Sequence, residues 1–152
     1  MNIQRKITDI VIHCSDSPNG RHHTVADIDA WHRERGFIRP PHWRIAKKFN
    51  TSLTSVGYHF VIYIDGTIVT GRHPDEIGAH VAGHNTQSLG ICLIGKDEFS
   101  EAQFAGLKSL CVEIIASVTT SPVIKGHCEY DTAIAQGKTC PNFSVKEWLR
   151  TL

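Results

Sequence analysis

Short apolar runs bounded by polar residues recur along the chain and predict buried β-strands. Four of these runs lie at Ile7–Ile12, Val56–Ile64, Ser88–Gly95 and Ser121–Lys125. β-Branched and aromatic residues are frequent in them, and an apolar run of roughly four to eight residues is typical of a strand buried on both faces. Asp65-Gly66 is a hairpin turn signal, so Thr67–Thr70 should return antiparallel to the strand before it.

Helix-capping signals lie between these strands. Each consists of Ser or Thr followed three positions later by Asp, Gln or Glu, as in Thr24–Asp27, Ser100–Gln103 and Ser144–Glu147. The first helix should run to about Arg35 and end at Gly36. Helices that alternate with strands, together with one hairpin, predict a single α/β domain over residues 1–152. Its central mixed sheet should have about five or six strands and be flanked by helices on both faces.

Composition narrows the class of protein without identifying a function. The 152 residues are 41% apolar and 20% charged, which is ordinary for a globular domain. A net charge of +1 provides no long-range field, and no apolar run approaches the ~20 residues of a membrane span, so we expect neither nucleic acid binding nor membrane insertion. The amino terminus lacks the apolar region of a signal peptide, and five cysteines without C-x-x-C spacing favour synthesis in a reducing cytoplasm.

Three residues of the kinds that bind zinc stand at or beyond the ends of predicted strands. His127 follows the run Ser121–Lys125, Cys140 returns after a polar loop, and the best candidate for a third ligand is His13, directly after the first run. A catalytic zinc needs three protein ligands and one open position. The alternative is buried histidines and a free cysteine satisfied by packing, which is the commoner situation for any single residue. Because neighbours on a strand face opposite sides, Cys14 should turn away from a site that His13 faces and should belong to the core.

An ordered series of short motifs covers nearly the whole chain. The motifs are Ile12-His13-Cys14-Ser15, Trp31-His32 with Gly36-Phe37, Gly57-Tyr58-His59-Phe60, Asp65-Gly66-Thr67, Gly71-Arg72, Gly78-Ala79-His80, Asn85 with Ser88-Leu89-Gly90, Gly126-His127 and Lys138-Thr139-Cys140-Pro141. In this order they resemble the zinc-dependent N-acetylmuramoyl-L-alanine amidases, a family shared by amidase-type phage lysozymes and peptidoglycan-recognition proteins.

The resemblance implies a metal site and a reaction. It places one zinc ion on His13, His127 and Cys140, and it implies hydrolysis of the amide between N-acetylmuramic acid and L-alanine in bacterial peptidoglycan. Cleavage of an amide also needs stabilisation of the oxyanion and a proton for the leaving amine. Tyr58 and Lys138 match family residues near the metal. The resemblance implies that Lys138 stabilises the oxyanion and that Tyr58 positions the water or carries a proton, without deciding which of the two is the acid.

Four further residues are candidates for contact with the glycan or the peptide stem, namely His32, Arg72, His80 and Asn85. For each of them, packing within a helix or a loop is an alternative that the sequence leaves open. Two segments, residues 38–56 and the loop between His127 and Cys140, are longer than in compact phage lysozymes. We expect both of them to reshape the substrate groove.

The resemblance favours a phage or prophage endolysin. We expect a monomer that is made in the host cytoplasm and acts on the cell wall after release, although a delivered antibacterial effector would carry the same sequence features. Two alternatives belong to other classes: a peptidoglycan-binding protein without catalysis, and an interaction protein that regulates a polymerase, as one phage lysozyme of this type does. Cys140 and Lys138 argue against a purely binding role.

Overall fold

A five-stranded mixed sheet forms the centre of the computed structural model, which describes all 152 residues. The strands are β1 (Asp9–Cys14), β2 (Phe60–Ile62), β3 (Ile68–Thr70), β4 (Ser88–Leu93) and β5 (Val123–Gly126). Their spatial order is β3-β2-β4-β1-β5, in which β2 and β3 form an antiparallel hairpin and every other neighbouring pair is parallel. This topology confirms the predicted mixed sheet.

Helices pack on both faces of this sheet. They are α1 (Val25–Glu34), α2 (Glu101–Ser117), α3 (Asp131–Ala135) and α4 (Val145–Arg150), with a π-helical turn at His42–Ala46 and a 3-10 turn at His127–Glu129. As predicted, α1 is followed by Gly36, whose φ of 85° is the left-handed conformation that commonly ends a helix. No helix combines the length and the apolar character that a membrane crossing requires.

Alternate residues of the central strands enter different hydrophobic clusters. Ile12 of β1 and Ile91 of β4 pack with Leu107 of α2 in a cluster of 14 buried residues. On the opposite face, Cys92 of β4 packs with Ile28 of α1 in a cluster of 6. Each buried large aliphatic side chain contributes about 1.5–3 kcal/mol, so both clusters hold their helices firmly against the sheet. The alternation places the residue after Ile12 on the face that α1 covers.

The strand predicted over residues 56–64 is shorter than its apolar run, since only Phe60–Ile62 belongs to β2. At the start of the predicted strand, backbone N–H groups bond to side chains instead of a neighbouring strand. Val56 N–H donates to Asp29 Oδ1 at 2.7 Å, and Gly57 N–H donates to His32 Nδ1 at 2.8 Å. Both acceptors belong to α1, so this helix holds the segment leading into β2. The predicted strand was right in position and wrong in extent.

The segment between His127 and Cys140 is not simply the polar loop that its composition predicts. It contains the short helix α3, whose Ala133 is buried and packs with Val11 and Val81. The helix covers the part of β1 that precedes the candidate zinc ligand. It therefore forms one wall of the space beside that ligand.

The other long segment, residues 38–56, is anchored by a buried arginine. Arg39 donates from Nε and Nη2 to the two carboxylate oxygens of Glu76, at 3.0 and 2.8 Å, and from Nη1 to the Leu53 carbonyl at 2.7 Å. Such two-pronged pairing fixes the guanidinium in one orientation. The ring of Trp43 stacks on His73 with the centroids 4.0 Å apart. This segment is thus packed against the loop that follows β3.

Candidate metal centre and groove

The parallel pairing of β1 with β5 brings two histidines to one edge of the sheet. Ile12 lies opposite Gly126 in the register, so the next residues, His13 and His127, stand side by side. Their ring centroids are 4.5 Å apart. Cys140 completes the group, because one donor atom from each of the three residues lies within 4.8 Å of the others.

Hydrogen bonds that involve backbone groups hold Cys140 beside these histidines. Cys128 N–H donates to the Cys140 carbonyl at 2.8 Å, which ties the segment after α3 to the turn that contains His127. Cys14 N–H donates to Cys140 Sγ at 3.1 Å, and the same sulphur lies 3.9 Å from His13 Nδ1. The sulphur is therefore fixed at the end of β1, beside the first histidine.

The charge state of these donors suits a cation. Burial lowers the pKa of His127 to about 4 and that of His13 well below its ordinary value, so both rings are neutral at pH 7 and offer a lone pair. The neighbouring Cys14 thiol and burial raise the pKa of Cys140. A bound cation reverses that effect by stabilising the thiolate. Two neutral imidazoles and one thiolate match the ligand preference of zinc and leave a fourth position for the reactants.

A groove of about 690 Å³ opens beside the donor group, and it is lined by His127 and Cys140, whereas His13 is buried. The side chains of one wall come from α1 and the residues after it, and those of the other come from α3 and the segment leading to Cys140. The lining includes Trp31, His32, Arg35, Phe37, Tyr58, Thr132, Gln136, Lys138 and Asn142. This mixture of aromatic, cationic and amide groups suits an elongated, polar substrate.

Both predicted catalytic residues lie in this groove. The ring of Tyr58 is 4.9 Å from that of His13, and burial raises the pKa of its hydroxyl well above the ordinary value, so the hydroxyl keeps its proton. Lys138 is exposed at the rim. After burial, its positive charge is the next cause of the lowered pKa of His127, and both residues line the same groove.

His32, a predicted substrate contact, is buried in α1 and also borders the groove. Its Nδ1 accepts the Gly57 N–H, and its ring centroid lies 5.1 Å from that of Tyr58. Burial lowers the pKa of His32 to about 4, so the ring is neutral. With Nδ1 already engaged, only the Nε2–H of this histidine is free to donate to a substrate.

The other three predicted contacts form hydrogen bonds within the protein. Arg72 is buried and donates to the carbonyls of Val56 and Ile77 at 2.7 and 2.8 Å. Asn85 borders the groove, and its Oδ1 accepts the N–H groups of His80 and Val81, each at 2.9 Å. The ring of His80 contacts His13, with 2.9 Å between His80 Nδ1 and His13 Nε2. The structure therefore places Arg72 behind the groove, whereas His80 and Asn85 border it with these atoms engaged in bonds within the protein.

Several groove residues were not predicted as site residues from the sequence. Trp31 and Phe37 are part of the motif series but were given no role, although the position of Trp31 on the buried side of α1 is a usable signal. Thr132 and Gln136 belong to α3 or its end, and α3 was not predicted, so no signal was available for them. Ser88 lies within 3.2 Å of His80, a contact that depends on how β4 meets a loop and that no local pattern indicates.

Comparisons with known proteins agree on one family. A family model described as N-acetylmuramoyl-L-alanine amidase matches residues 3–143. The endolysins of Klebsiella phage KP32 and Escherichia phage T7 are each 33% identical to this chain, over 95% of it and 87% of their own length. Among solved structures, the N-acetylmuramoyl-L-alanine amidase LysC from Clostridium intestinale URNW superposes with a TM-score of 0.72 at 25% identity, covering 97% of this chain and 85% of LysC.

Proposed function

We propose, from the premise that this chain belongs to the N-acetylmuramoyl-L-alanine amidase family, that one zinc ion held by His13, His127 and Cys140 serves its reaction. The reaction is hydrolysis of the amide bond between N-acetylmuramoyl and L-alanine in bacterial peptidoglycan. The observation that carries the zinc proposal is the convergence of three donor atoms within 4.8 Å of one another. Two of the donor residues, His127 and Cys140, line the groove.

Tyr58 and Lys138 divide the remaining chemistry in this proposal. When bound, zinc supplies an activated water and a positive charge that polarises the amide carbonyl. The Lys138 ammonium faces the oxygen on which negative charge develops and stabilises it. The Tyr58 hydroxyl, which keeps its proton because burial raises its pKa, positions the water and serves the proton transfer to the leaving amine.

The groove walls bind the two ends of the substrate. Trp31 and Phe37 offer apolar surface to the sugar ring or to the methyl groups of the lactyl and alanyl units, and the Nε2–H of His32 donates to a substrate carbonyl. Arg72 and Asn85 act indirectly, since their polar atoms hold the backbone of the loops around the groove. Binding of both ends fixes the amide over the metal site and removes much of the entropic part of the barrier.

The biological role that we propose is lysis of the host cell wall by a phage or prophage endolysin. The identity of 33% with two phage endolysins, over nearly the full length of both partners, supports this role. We further propose that the protein acts as a monomer, since none of the roles proposed above requires a residue from a second chain.

The Cys140→Ser variant tests the proposed ligand set. A serine hydroxyl stays protonated near neutral pH and is a poor zinc ligand, so bound zinc should fall from about one ion per chain to almost none. Release of L-alanine amino groups from purified peptidoglycan should fall with it. The metal content of the purified protein is measured by atomic emission, and the released amino groups are measured by a colorimetric assay.

Cys128→Ser is the matched control. Cys128 is a half-buried cysteine adjacent to His127, and its side chain is outside the donor group. This control should retain both zinc and activity. Full zinc content in Cys140→Ser, or equal losses in the two variants, would show that the ligand set is wrong.

A further inference from the structure

A series of hydrogen bonds links His13 Nε2, through His80 and Ser88, to a backbone carbonyl in the loop before β4. His13 Nε2 lies 2.9 Å from His80 Nδ1, His80 Nε2 lies 3.2 Å from Ser88 Oγ, and Ser88 Oγ donates to the His84 carbonyl at 2.8 Å. His13 and Ser88 are 1% and 0% exposed, so water does not compete for their polar atoms. This series leaves the other nitrogen of His13, Nδ1, facing Cys140 Sγ.

The direction of each hydrogen bond follows from the fixed acceptor at the far end. A carbonyl oxygen only accepts, so the single hydroxyl proton of Ser88 is directed to His84, and Ser88 Oγ accepts from His80 Nε2–H. A neutral imidazole carries one N–H, so His80 Nδ1 is an acceptor. His13 therefore donates from Nε2, and its Nδ1 carries a lone pair on the side of the metal centre.

Two glycines leave room for the ring of His80 at this position. A Cβ atom on Gly90 would stand 2.7 Å from His80 Cγ, and one on Gly78 would stand 2.7 Å from His80 Cδ2. Real Cβ atoms essentially never approach so closely, so only glycine permits this position of the ring. The backbone is held as well, because Asn85 Oδ1 accepts the His80 N–H at 2.9 Å. The ring is therefore enclosed on both sides and oriented toward His13.

We propose that His80 and Ser88 are positioning residues that hold His13 in its Nε2-protonated form and so present Nδ1 to the metal. This inference rests on the proposed function, since it concerns the ligand side of the same zinc site. His80 borders the groove, but both of its ring nitrogens are engaged, so it has no free polar atom to offer a substrate. Loss of such an orienting partner typically lowers metal affinity by roughly 10–100-fold.

The test compares His80→Leu, His80→Asn and Ser88→Ala with the wild-type protein and with the surface control His22→Leu. The zinc dissociation constant is measured by competition with a chelator. The form of the His13 ring is read in the metal-free protein from two-bond nitrogen–proton correlations of imidazole. Circular dichroism checks that each variant is folded.

We expect the metal-free wild-type protein to show His13 protonated at Nε2. His80→Leu should lose that single form and bind zinc roughly 10–100-fold more weakly, whereas His80→Asn, which keeps an acceptor near the position of Nδ1, should recover most of the affinity. Ser88→Ala should show a smaller loss in the same direction. The KM for soluble muropeptide in zinc-saturated His80→Asn should stay near that of the wild type.

Three outcomes would overturn this inference. They are a His13 ring protonated at Nδ1 in the wild type, unchanged zinc affinity in folded His80→Leu, and a raised KM with unchanged zinc affinity, which would make His80 a substrate contact. Failure of the wild type to bind zinc at all is a distinct result, because it contradicts the proposed zinc site itself. A variant that does not fold is replaced in the comparison by Ser88→Ala, which removes only one hydroxyl group.

Discussion

Lys138 stands at the exposed rim of the groove, and its effect on the site is electrostatic. Its side chain supports no core packing, and an ammonium has no lone pair for a metal. We therefore expect Lys138→Ala to keep its zinc and its folding stability. Its kcat should fall by roughly 10²–10³, because the oxyanion loses a nearby positive charge. Turnover on soluble muropeptide and zinc content are measured on the same preparation.

Lys146→Ala provides the matched control for that experiment. Lys146 is also exposed, but it belongs to α4, which packs against the opposite side of the molecule, on α2 and β5. Its removal should leave kcat unchanged. A Lys138→Ala enzyme that works at the wild-type rate would assign the charge stabilisation to another group, with Tyr58 the first candidate.

At the level of single residues, the sequence predicts a side chain's location best where that location depends on the residue's position along a strand. His13 was predicted as the third ligand because it directly follows the first apolar run, and the structure places it on the face opposite the large core cluster. Cys14 is buried, but the prediction that it turns away from the site and joins the core is wrong. It borders the groove, its thiol neighbours that of Cys140, and its backbone N–H donates to Cys140 Sγ, because the segment that carries Cys140 packs against the end of β1. That contact joins residues 126 positions apart, and no local pattern in the sequence predicts such a meeting.

Among the helices, α2 has the best-defined start. Ser100 Oγ accepts the Gln103 N–H at 3.0 Å and donates to the Ile64 carbonyl, so one hydroxyl both caps the helix and holds it to the end of β2. We expect Ser100→Ala to lower the free energy of unfolding by about 1–2 kcal/mol, the upper half of the range for a lost cap, because a half-buried carbonyl also loses its partner. Urea denaturation measures this change.

The comparison variant for this helix is Ser144→Ala. Ser144 accepts the Glu147 N–H at 3.1 Å at the start of α4, in an exposed position and with no second partner. Its loss should cost less, about 0.5–1 kcal/mol. Equal costs for the two variants would mean that the bond from Ser100 to Ile64 contributes nothing. Since α2 lies on the face away from the groove, both variants should hydrolyse peptidoglycan normally.

Individual helices and strands were predictable where a local signal is clear. Examples are the capping box of α2 and the short apolar run of β1. Helices and strands were less predictable where a polar side chain, rather than a neighbouring strand, bonds to the backbone. α1 directs Asp29 and His32 inward, and both bind the backbone of residues 55–57, so a helix face that should be apolar is partly polar. For the same reason, the strand predicted over residues 56–64 is reduced to three residues, since the backbone N–H groups at its start bond to side chains of α1.

For the molecule as a whole, buried neutral histidines make folding sensitive to acid. His59 is 0% exposed; Gly90 N–H donates to its Nδ1 at 3.0 Å, and its Nε2–H donates to the Glu76 carbonyl at 2.7 Å. Burial lowers the pKa of His59 to about 3, whereas the unfolded chain has the ordinary value of about 6.5. Between these two values the unfolded state binds a proton that the folded state excludes. Stability should therefore fall as pH drops through this window, with a slope from this residue of up to about 1.4 kcal/mol per pH unit, and His59 has no such effect above it.

His59→Gln isolates this contribution. A glutamine does not titrate, and its amide replaces part of the hydrogen bonding, so the variant should be less stable at neutral pH but should lose stability less steeply on acidification. The free energy of unfolding is measured by urea titration of metal-free protein between about pH 7 and pH 5. The difference in slope should approach about 1 kcal/mol per pH unit in the lower part of this range. Parallel curves for the two proteins would exclude His59 as a source of the acid sensitivity.

The overall architecture was predictable because the pattern of strands, helices and one hairpin permits few arrangements. The mixed sheet and the helices on both faces are both found. The pairing of β1 with β5 was not predicted explicitly, although it is what brings His13 and His127 together. The helix α3 was not predicted because its sequence, Asp131–Ala135, is too short to show a periodicity.

The wide separation of the metal donors along the chain has a consequence for assembly. His13 and Cys140 are 127 positions apart, so a cation held by both closes a loop that contains most of the polypeptide. In a chain-entropy treatment of cross-links, closing a loop of about 100 residues removes on the order of 4–5 kcal/mol of disorder from the unfolded state. The proposed centre cannot form from any fragment that stops short of residue 140, and during synthesis the donors cannot meet until Cys140 has left the ribosome. Under this proposal, catalytic competence requires the whole stretch from His13 to Cys140 to be present.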